Sequence, residues 1–140
     1  MKKKIVITGG LGYIGTELCR LYSGVSWNNE IVVIDNRFIS ERVNQIRNWN
    51  MDFVHGDILD KELINKYCND ADVVHHLAGI TNVPKTKTES NNANNDKIKR
   101  VGEEGTKNIL NAINDKCKII FPSTHVVFEG LEKVQNEIFE

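Results

Sequence analysis

A glycine-rich segment near the amino terminus contains the residues whose types and spacing are most readily linked to chemistry. It reads Thr8-Gly9-Gly10-Leu11-Gly12-Tyr13-Ile14-Gly15 and lies between a short apolar run and a helical pattern. A tight strand-to-helix turn whose backbone closely approaches a pair of phosphates excludes side chains at Gly9, Gly12 and Gly15. The helix that follows offers free N–H groups and its positive dipole end to those phosphates. The segment therefore predicts a binding site for the pyrophosphate of a dinucleotide.

An acidic residue farther along the chain supports this interpretation independently. Asp35 ends the second apolar run, 20 residues after Gly15, and a carboxylate there can accept hydrogen bonds from the adenosine ribose hydroxyls. Because its negative charge would repel a 2′-phosphate, the sequence favours NAD over NADP. Arg37 leaves NADP open, since it is close enough to reach such a phosphate, although a solvated surface arginine is the simpler interpretation.

The elements that must position these residues are strands and helices in alternation. Five apolar runs are short, rich in β-branched residues and nearly continuous, which is typical of strands covered on both faces. They are Ile5–Thr8, Ile31–Asp35, Met51–His55, Val73–Leu77 and Lys118–Phe121. The segments between them leave room for helices, so the pattern predicts βαβ units with right-handed crossovers and a parallel sheet between two helix layers.

Helix signals lie between those strands. The first helix is predicted to bury one amphipathic stripe, which consists of Ile14, Leu18, Leu21 and Val25. Ser40 and Asp60 are the predicted N-caps of two shorter helices. The longest helix is predicted to run from about residue Asn95 to Asn114.

Composition sets further limits on fold and function. The 140 residues suffice for one hydrophobic core and are predicted to form a single domain, residues 1–140. With 18 basic and 19 acidic residues, the chain lacks the positive excess that a nucleic-acid-binding protein normally shows. We find neither an apolar run of membrane-spanning length nor a segment like a secretion signal, and we therefore expect a cytoplasmic protein without a membrane partner.

The cysteines and histidines show no metal-binding pattern. Cys19, Cys68 and Cys117 are far apart and form no Cys-x-x-Cys arrangement, so we interpret them as reduced packing residues. His75 and His76 are adjacent in a predicted strand, where successive side chains point to opposite faces and cannot ligate one metal together. The sequence therefore predicts no metal site.

A set of short motifs supports a family resemblance over essentially the whole chain. Besides the segment Thr8 to Gly15, the motifs are Asp35-Asn36, Gly56-Asp57-Ile58, His76-Leu77-Ala78-Gly79, Gly105-Thr106-Lys107-Asn108 and Ser123-Thr124. In this order and spacing they resemble the extended short-chain dehydrogenase/reductases, in particular the NAD-dependent epimerase/dehydratase branch that acts on nucleotide sugars. The resemblance implies a Rossmann fold, that is, α/β with a doubly wound parallel sheet of strand order 3-2-1-4-5. It also implies NAD-dependent oxidation of a sugar hydroxyl, which enables epimerisation, dehydration or reduction.

The resemblance also assigns roles to individual positions. The implied cofactor-binding set is Gly9, Gly12, Tyr13, Ile14, Gly15, Asp35, Asn36, Arg37, Asp57, Ile58, Leu77, Ala78, Gly79 and Thr81. Within it, Tyr13 and Ile14 would donate backbone N–H groups to the pyrophosphate. The Asp57-Ile58 pair would hold the adenine. The stretch after the fourth strand would lie along the cofactor, with Thr81 near the nicotinamide ribose.

The same resemblance implies one catalytic residue and the absence of its partners. Thr124 matches the family's catalytic Ser/Thr, whose hydroxyl bonds to the substrate oxygen that is oxidised. In the family a tyrosine, with a lysine four residues later, acts as the general base. Tyr13, Tyr22 and Tyr67 are followed at the fourth position by Glu17, Ser26 and Ala71. We therefore expect the chain to be the cofactor-binding part of such an enzyme, truncated before the substrate lobe and inactive alone.

Two other interpretations stay open on the sequence. The chain could be a stand-alone dinucleotide-binding module without chemistry, or an NADP-dependent reductase of the same fold. A Tyr-x-x-x-Lys pair encoded soon after Glu140 would favour the enzyme, and an immediate stop codon would favour the module. The complete family takes nucleotide-sugar substrates and commonly forms homodimers, so a homodimer is a further expectation that the sequence leaves open.

Overall fold

Five parallel strands form one sheet in the computed structural model, which describes residues 1–80 and 92–123. They are β1 (Lys4–Thr8), β2 (Glu30–Asp35), β3 (Asp52–His55), β4 (Val73–His76) and β5 (Lys118–Ile120). Their order is β3-β2-β1-β4-β5. This confirms the predicted α/β fold with a doubly wound parallel sheet of order 3-2-1-4-5, and each strand begins and ends within one residue of its predicted run.

Helices connect the strands. The first three, α1 (Tyr13–Tyr22), α2 (Ser40–Asn48) and α3 (Lys61–Cys68), follow β1, β2 and β3 respectively, and α4 (Asn92–Ala112) precedes β5. A short 3-10 helix, Ser26–Asn28, leads from α1 to β2. None of the helices in the two described ranges combines the length and the apolar character that a membrane crossing requires.

The sheet separates two hydrophobic cores because successive residues of a strand face opposite sides. The core on the side of α1 and α2 consists of Ile5, Ile7, Leu11, Cys19, Ile31, Val33, Val43, Ile46 and Met51. The core on the side of α3 and α4 consists of Val6, Val32, Ile34, Ile58, Ile64, Cys68, Ala71, Val74 and Ile109. Both faces of the central strands are therefore covered, as the continuous apolar runs predict.

The apolar stripe predicted for α1 is wrong as its buried face except at Leu18, which packs against the first core. Ile14, Leu21 and Val25 are 62%, 67% and 45% exposed, whereas Gly15 and Cys19 are buried. The reason is steric: a Cβ on Gly15 would lie 2.5 Å from the carbonyl oxygen of Gly9. Close packing of the helix on the turn fixes its rotation and turns the larger aliphatic side chains outward.

Of the two predicted N-caps, only one caps a helix with its side chain. Asp60 precedes α3, and its carboxylate accepts a hydrogen bond of 3.0 Å from the backbone N–H of Leu63. Ser40 is the first residue of α2 rather than its cap; Ile39 stands at the N-cap position and makes no side-chain hydrogen bond. The prediction for Ser40 is therefore wrong by one position.

The cysteines lie where packing residues are expected. Cys19 belongs to the first core and Cys68 to the second, and all three thiols are free. Burial raises the pKa of Cys19 and of Cys68 to about 12, so both thiols stay protonated at neutral pH.

Candidate cofactor site

The turn after β1 is the centre of the candidate site. Gly9 has a φ of +69°, a conformation that side-chain-bearing residues rarely adopt. Its backbone N–H donates a 2.8 Å hydrogen bond to the carbonyl of Ile34 at the end of β2. A Cβ on Gly9 would lie only 2.7 Å from the backbone nitrogen of Ala78, which follows β4. The turn therefore packs against the ends of both neighbouring strands.

Gly12 immediately precedes α1. Gly12 stands at the N-cap with φ −71° and ψ 175°, and a Cβ there would lie 3.1 Å from the carbonyl oxygen of Gly9 and 3.9 Å from Nη2 of Arg37. Any residue can adopt this backbone conformation, so glycine is not required here by φ and ψ. The lack of a side chain instead leaves space free beside the turn. That space is bounded by the turn and by a guanidinium group.

The first turn of α1 presents backbone donors at this edge of the sheet. Tyr13 and Ile14 are the first two helical residues, and the first N–H groups of any helix have no intrahelical acceptor. Their side chains are exposed, at 88% and 62%. Free N–H groups together with the positive end of the helix dipole favour an anion beside Gly12.

Asp35 holds the turn from the end of β2. Its side chain is buried, and Oδ2 accepts a 2.9 Å hydrogen bond from the backbone N–H of Leu11. Its other oxygen, Oδ1, accepts the backbone N–H of Arg37 at 2.9 Å. The carboxylate therefore links β2, the glycine turn and the start of the loop to α2.

The guanidinium of Arg37 covers this carboxylate. Nε lies 3.2 Å from Oδ1 of Asp35 and Nη2 lies 3.3 Å from Oδ2. The side chain of Arg37 is half exposed, and that of Asp35 is 3% exposed. Arg42, on α2, donates to the carbonyl of Leu11. Two cations therefore border the turn, and ribose hydroxyls would reach Asp35 only if Arg37 moved.

The predicted adenine-binding pair follows β3. Asp57 accepts the backbone N–H of Leu59 at 2.9 Å and the Asn36 side-chain amide at 3.2 Å. Ile58 is buried in the second core, and a Cβ on Gly105 of α4 would lie 2.3 Å from its Cδ1. Asp57 and Asn36 thus line the edge of the site, whereas the Ile58 side chain packs beneath it.

The predicted stretch after β4 lies directly against the glycine turn. The backbone N–H of Leu77 donates 3.1 Å to the carbonyl of Thr8, and that of Ala78 lies 3.3 Å from the Thr8 hydroxyl. Gly79 is exposed, and a Cβ there would meet nothing within 4 Å. The structure therefore brings the ends of β1, β2 and β4 together at one edge. Thr81 and the catalytic candidate Thr124 lie outside the described residues.

Three side chains outside the predicted cofactor-binding set border the site. Thr8 and His76 are buried, and they connect through a hydrogen bond to Thr106 on α4. Burial lowers the pKa of His76, so the ring is neutral at neutral pH. The signal for Thr8 was its place immediately before the first glycine. Nothing in the sequence indicated that Thr106, 30 residues beyond His76, contacts the same ring.

Residues 1–80 and 92–123 contain no group of three histidine, cysteine or acidic side chains that could hold a metal ion. His75 and His76 do point to opposite faces: His75 bonds to Tyr22 of α1 and His76 to Thr106 of α4.

The sequence of this chain matches one family model and several known proteins. The model of the 3-beta hydroxysteroid dehydrogenase/isomerase family matches residues 6–138. A UDP-N-acetyl-alpha-D-glucosaminuronate decarboxylase of Bacillus cytotoxicus is 33% identical over 130 residues, covering 91% of this chain and 38% of that protein. A CDP-paratose 2-epimerase of Salmonella typhi is 35% identical over 142 residues, covering 93% and 39%. The chain thus spans about two fifths of the length of these relatives.

Solved structures share the fold. A UDP-glucose-4-epimerase from Stenotrophomonas maltophila, with bound NAD and formylated UDP-arabinopyranose, superimposes with a TM-score of 0.71 at 21% identity, covering 90% of this chain and 38% of that one. An L-threonine dehydrogenase from Clostridium difficile superimposes with a TM-score of 0.66 at 27% identity, covering 88% and 37%.

Proposed function

The chain belongs to the 3-beta hydroxysteroid dehydrogenase/isomerase family, and from this premise we propose that it forms the NAD-binding portion of an epimerase/dehydratase-like enzyme. When bound, NAD would supply the acceptor for the hydride that oxidation of a substrate hydroxyl releases. The residues of this chain contribute the binding and orientation of the dinucleotide.

The observation that carries this proposal is the glycine turn packed between the ends of β2 and β4. The positive φ of Gly9, the bare backbone at Gly12 and the close approach of Gly15 leave a cradle that side chains would fill. The first N–H groups of α1 border this space. The residues therefore fit a pyrophosphate, which Tyr13 and Ile14 would bind through the backbone.

Other positions in the proposed set would bind the two ends of the cofactor. Asp35 would accept the adenosine ribose hydroxyls after Arg37 is displaced, and Asp57 with Asn36 would contact the adenine. Leu77, Ala78 and Gly79 would lie along the dinucleotide toward the nicotinamide.

The names of two relatives support a proposal for the substrate class. Their names specify UDP- and CDP-linked sugars, so we propose a nucleotide sugar as the substrate of the complete protein. Thr124 is the proposed hydroxyl that bonds to the reacting sugar oxygen. The sequence contains no Tyr-x-x-x-Lys pair, so we expect no oxidation of a nucleotide sugar by the 140-residue chain itself. A rise in NADH absorbance with a UDP-sugar and NAD would contradict that expectation.

Calorimetric titration with NAD tests the binding step. We expect the unsubstituted chain to bind NAD, and Gly12→Val to lose binding while keeping the far-ultraviolet circular dichroism of the folded chain. Gly24→Val is the matched control, because a Cβ at Gly24 meets nothing within 4 Å and Gly24 lies beyond the opposite end of α1. Unchanged NAD affinity in a folded Gly12→Val protein would refute the proposed site.

The alternative cofactor is NADP, which one specific observation favours. Arg37 and Arg42 place two cations beside the turn, and either could attract a 2′-phosphate. We nevertheless propose NAD, because the negative charge of the Asp35 carboxylate would repel a 2′-phosphate. Parallel titrations with both cofactors decide the matter: tighter binding of NADP would refute the role of Asp35. Arg37→Ala should shift the affinity ratio further toward NAD by on the order of tenfold, the effect of about 1.4 kcal/mol.

A stand-alone module without chemistry would bind NAD in the same way. The two possibilities predict different activities for a longer protein, in which any segment that follows Glu140 is joined to this chain. NAD-dependent turnover of a nucleotide sugar by that longer protein supports the enzyme, and binding without turnover supports the module.

A further inference from the structure

Three side chains link β1, β4 and α4 beside the candidate site. The Thr8 hydroxyl lies 2.8 Å from Nδ1 of His76, and Nε2 of the same ring lies 3.0 Å from the Thr106 hydroxyl. Thr8 is 0% exposed and His76 is 1% exposed. At this depth each polar atom needs a partner within the protein, since an unpaired one costs free energy.

The outer partners fix the direction of every hydrogen bond in this chain of contacts. Thr106 donates its hydroxyl hydrogen to the carbonyl of Gly102 at 2.6 Å, so its oxygen accepts from Nε2–H of His76. The Thr8 oxygen accepts the backbone N–H of Ala78 at 3.3 Å, and its hydrogen is donated to Nδ1. The other neutral tautomer would direct two donors at the Thr8 oxygen and remove the acceptor of its hydrogen.

The far end of this chain of contacts is the backbone that packs against the glycine turn. A Cβ on Gly9 would lie 2.7 Å from the nitrogen of Ala78 and 2.8 Å from the carbonyl carbon of Leu77. The Leu77–Ala78 peptide is therefore held between the Thr8 hydroxyl on one side and the Gly9 backbone on the other. A change in the orientation of Thr8 would displace this peptide.

We propose that His76 is a positioning residue of the candidate site: as the Nε2–H tautomer it orients the Thr8 hydroxyl, which holds the Leu77–Ala78 peptide against the glycine turn. The inference rests on the proposed function, in which the cofactor lies along this peptide. Because Thr106 belongs to α4, the same contacts tie the position of that helix to the peptide.

The neighbouring histidine provides a matched control. His75 is 7% exposed, lies on the same strand and bonds through Nε2 to the Tyr22 hydroxyl at 2.8 Å. Its ring lies on the opposite face of the sheet, against α1, and it makes no hydrogen bond to Thr8 or Ala78 among the described contacts. Loss of His75 therefore removes a comparable buried hydrogen bond without touching the Leu77–Ala78 peptide.

The first measurement needs no variant. Long-range proton–nitrogen NMR correlation of the ¹⁵N-labelled chain distinguishes the two neutral imidazole tautomers and the charged ring. At pH 7.5 we expect His76 as the Nε2–H tautomer and a slowly exchanging Ala78 amide hydrogen. An Nδ1–H or charged ring would overturn the inference, whether or not the chain binds NAD.

The second measurement compares NAD with ADP, which lacks the nicotinamide riboside, by calorimetry on His76→Leu, His76→Asn and His75→Leu. We expect His76→Leu to weaken NAD binding about tenfold and ADP binding less than about threefold, because the turn that holds the pyrophosphate retains its own contacts. His76→Asn, which keeps an acceptor near the Nδ1 position, should recover most of the loss. His75→Leu should leave the NAD-to-ADP affinity ratio within about twofold of the unsubstituted chain.

The outcomes separate this inference from the proposed function. An unsubstituted chain that binds no NAD refutes the function, while the tautomer and the Ala78 exchange rate still test the positioning contacts. If the unsubstituted chain binds NAD but His76→Leu and His75→Leu change the NAD-to-ADP affinity ratio equally, only the positioning role is refuted. If His76→Leu does not fold, Thr8→Val against Thr8→Ser repeats the comparison, since only serine retains the hydroxyl.

Discussion

The carboxylate of Asp35 accepts the backbone N–H of Leu11 at 2.9 Å, so the end of β2 holds the middle of the glycine turn. Both residues are buried. The carboxylate at this position thus has a structural task that is independent of any ribose. Its loss should affect the folded state as well as cofactor binding.

Substitutions at Asp35 should separate these two tasks. Asp35→Ala leaves the Leu11 N–H unpaired, and we expect the free energy of unfolding to fall by about 1–3 kcal/mol. Asp35→Asn keeps one acceptor oxygen for the Leu11 N–H and gives up the acceptor of the Arg37 N–H. It should lose less than Asp35→Ala, because the ion pair it also removes involves a half-exposed arginine. Urea denaturation of the two variants measures the difference, and equal losses would contradict a stabilising role of the Leu11 hydrogen bond.

Gly9→Ala should destabilise the fold more than the replacement of a glycine in open space. A methyl group on Gly9 would meet Ala78 at 2.7 Å and would also strain a φ of +69°, so we expect a loss above about 2 kcal/mol in the free energy of unfolding. Gly24→Ala, with open space around its Cβ, is the control for replacing a glycine as such. Thermal unfolding of the unsubstituted chain, Gly9→Ala and Gly24→Ala makes the comparison. A Gly9→Ala midpoint equal to that of Gly24→Ala would contradict the described turn.

Acid should weaken the fold in a specific pH window. Burial lowers the pKa of His75 and His76 below their ordinary value of 6.5, so the unfolded chain binds more protons than the folded one below that pH. The free energy of unfolding should be constant above about pH 7 and fall as the pH decreases through 6.5, by at most about 1.4 kcal/mol per pH unit for each histidine. Urea denaturation between pH 7.5 and 5.5 tests this.

The matching variants identify the titrating groups. We expect His75→Gln and His76→Gln each to flatten the pH dependence. A profile that none of these substitutions changes would assign the acid sensitivity to other residues.

The two predicted helix caps should differ in their effect on stability. Asp60→Ala removes the acceptor of the Leu63 N–H and should cost about 1 kcal/mol, as for other N-caps. Ser40→Ala removes no capping hydrogen bond and should change the free energy of unfolding by less than about 0.5 kcal/mol. Chemical denaturation of both variants tests the contrast, and a larger loss for Ser40→Ala would reverse the assignment of the caps.

The features that the sequence predicted correctly are those with local causes. The continuous β-branched runs predicted all five strands, because a strand buried on both faces has no polar alternation. The place of Asp35 at the end of β2 follows from the same kind of run. The prediction of the buried face of α1 was wrong because helical periodicity does not show which face packs closely. A glycine on one face lets that face approach its neighbours. The longer aliphatic residues Ile14 and Leu21 suggested one face, and the smaller Gly15 and Cys19 form the buried one.

By itself, the sequence determined a parallel α/β sheet and a glycine turn followed by a helix, because apolar runs and glycine spacing act through the local backbone. Only the tertiary structure decided that Asp35 accepts the Leu11 N–H, and that His76 joins Thr8 to Thr106. These contacts join residues from separate segments of the chain, 24 to 68 positions apart. Hydrogen bonds of this kind depend on packing that brings distant segments together, which no local pattern specifies.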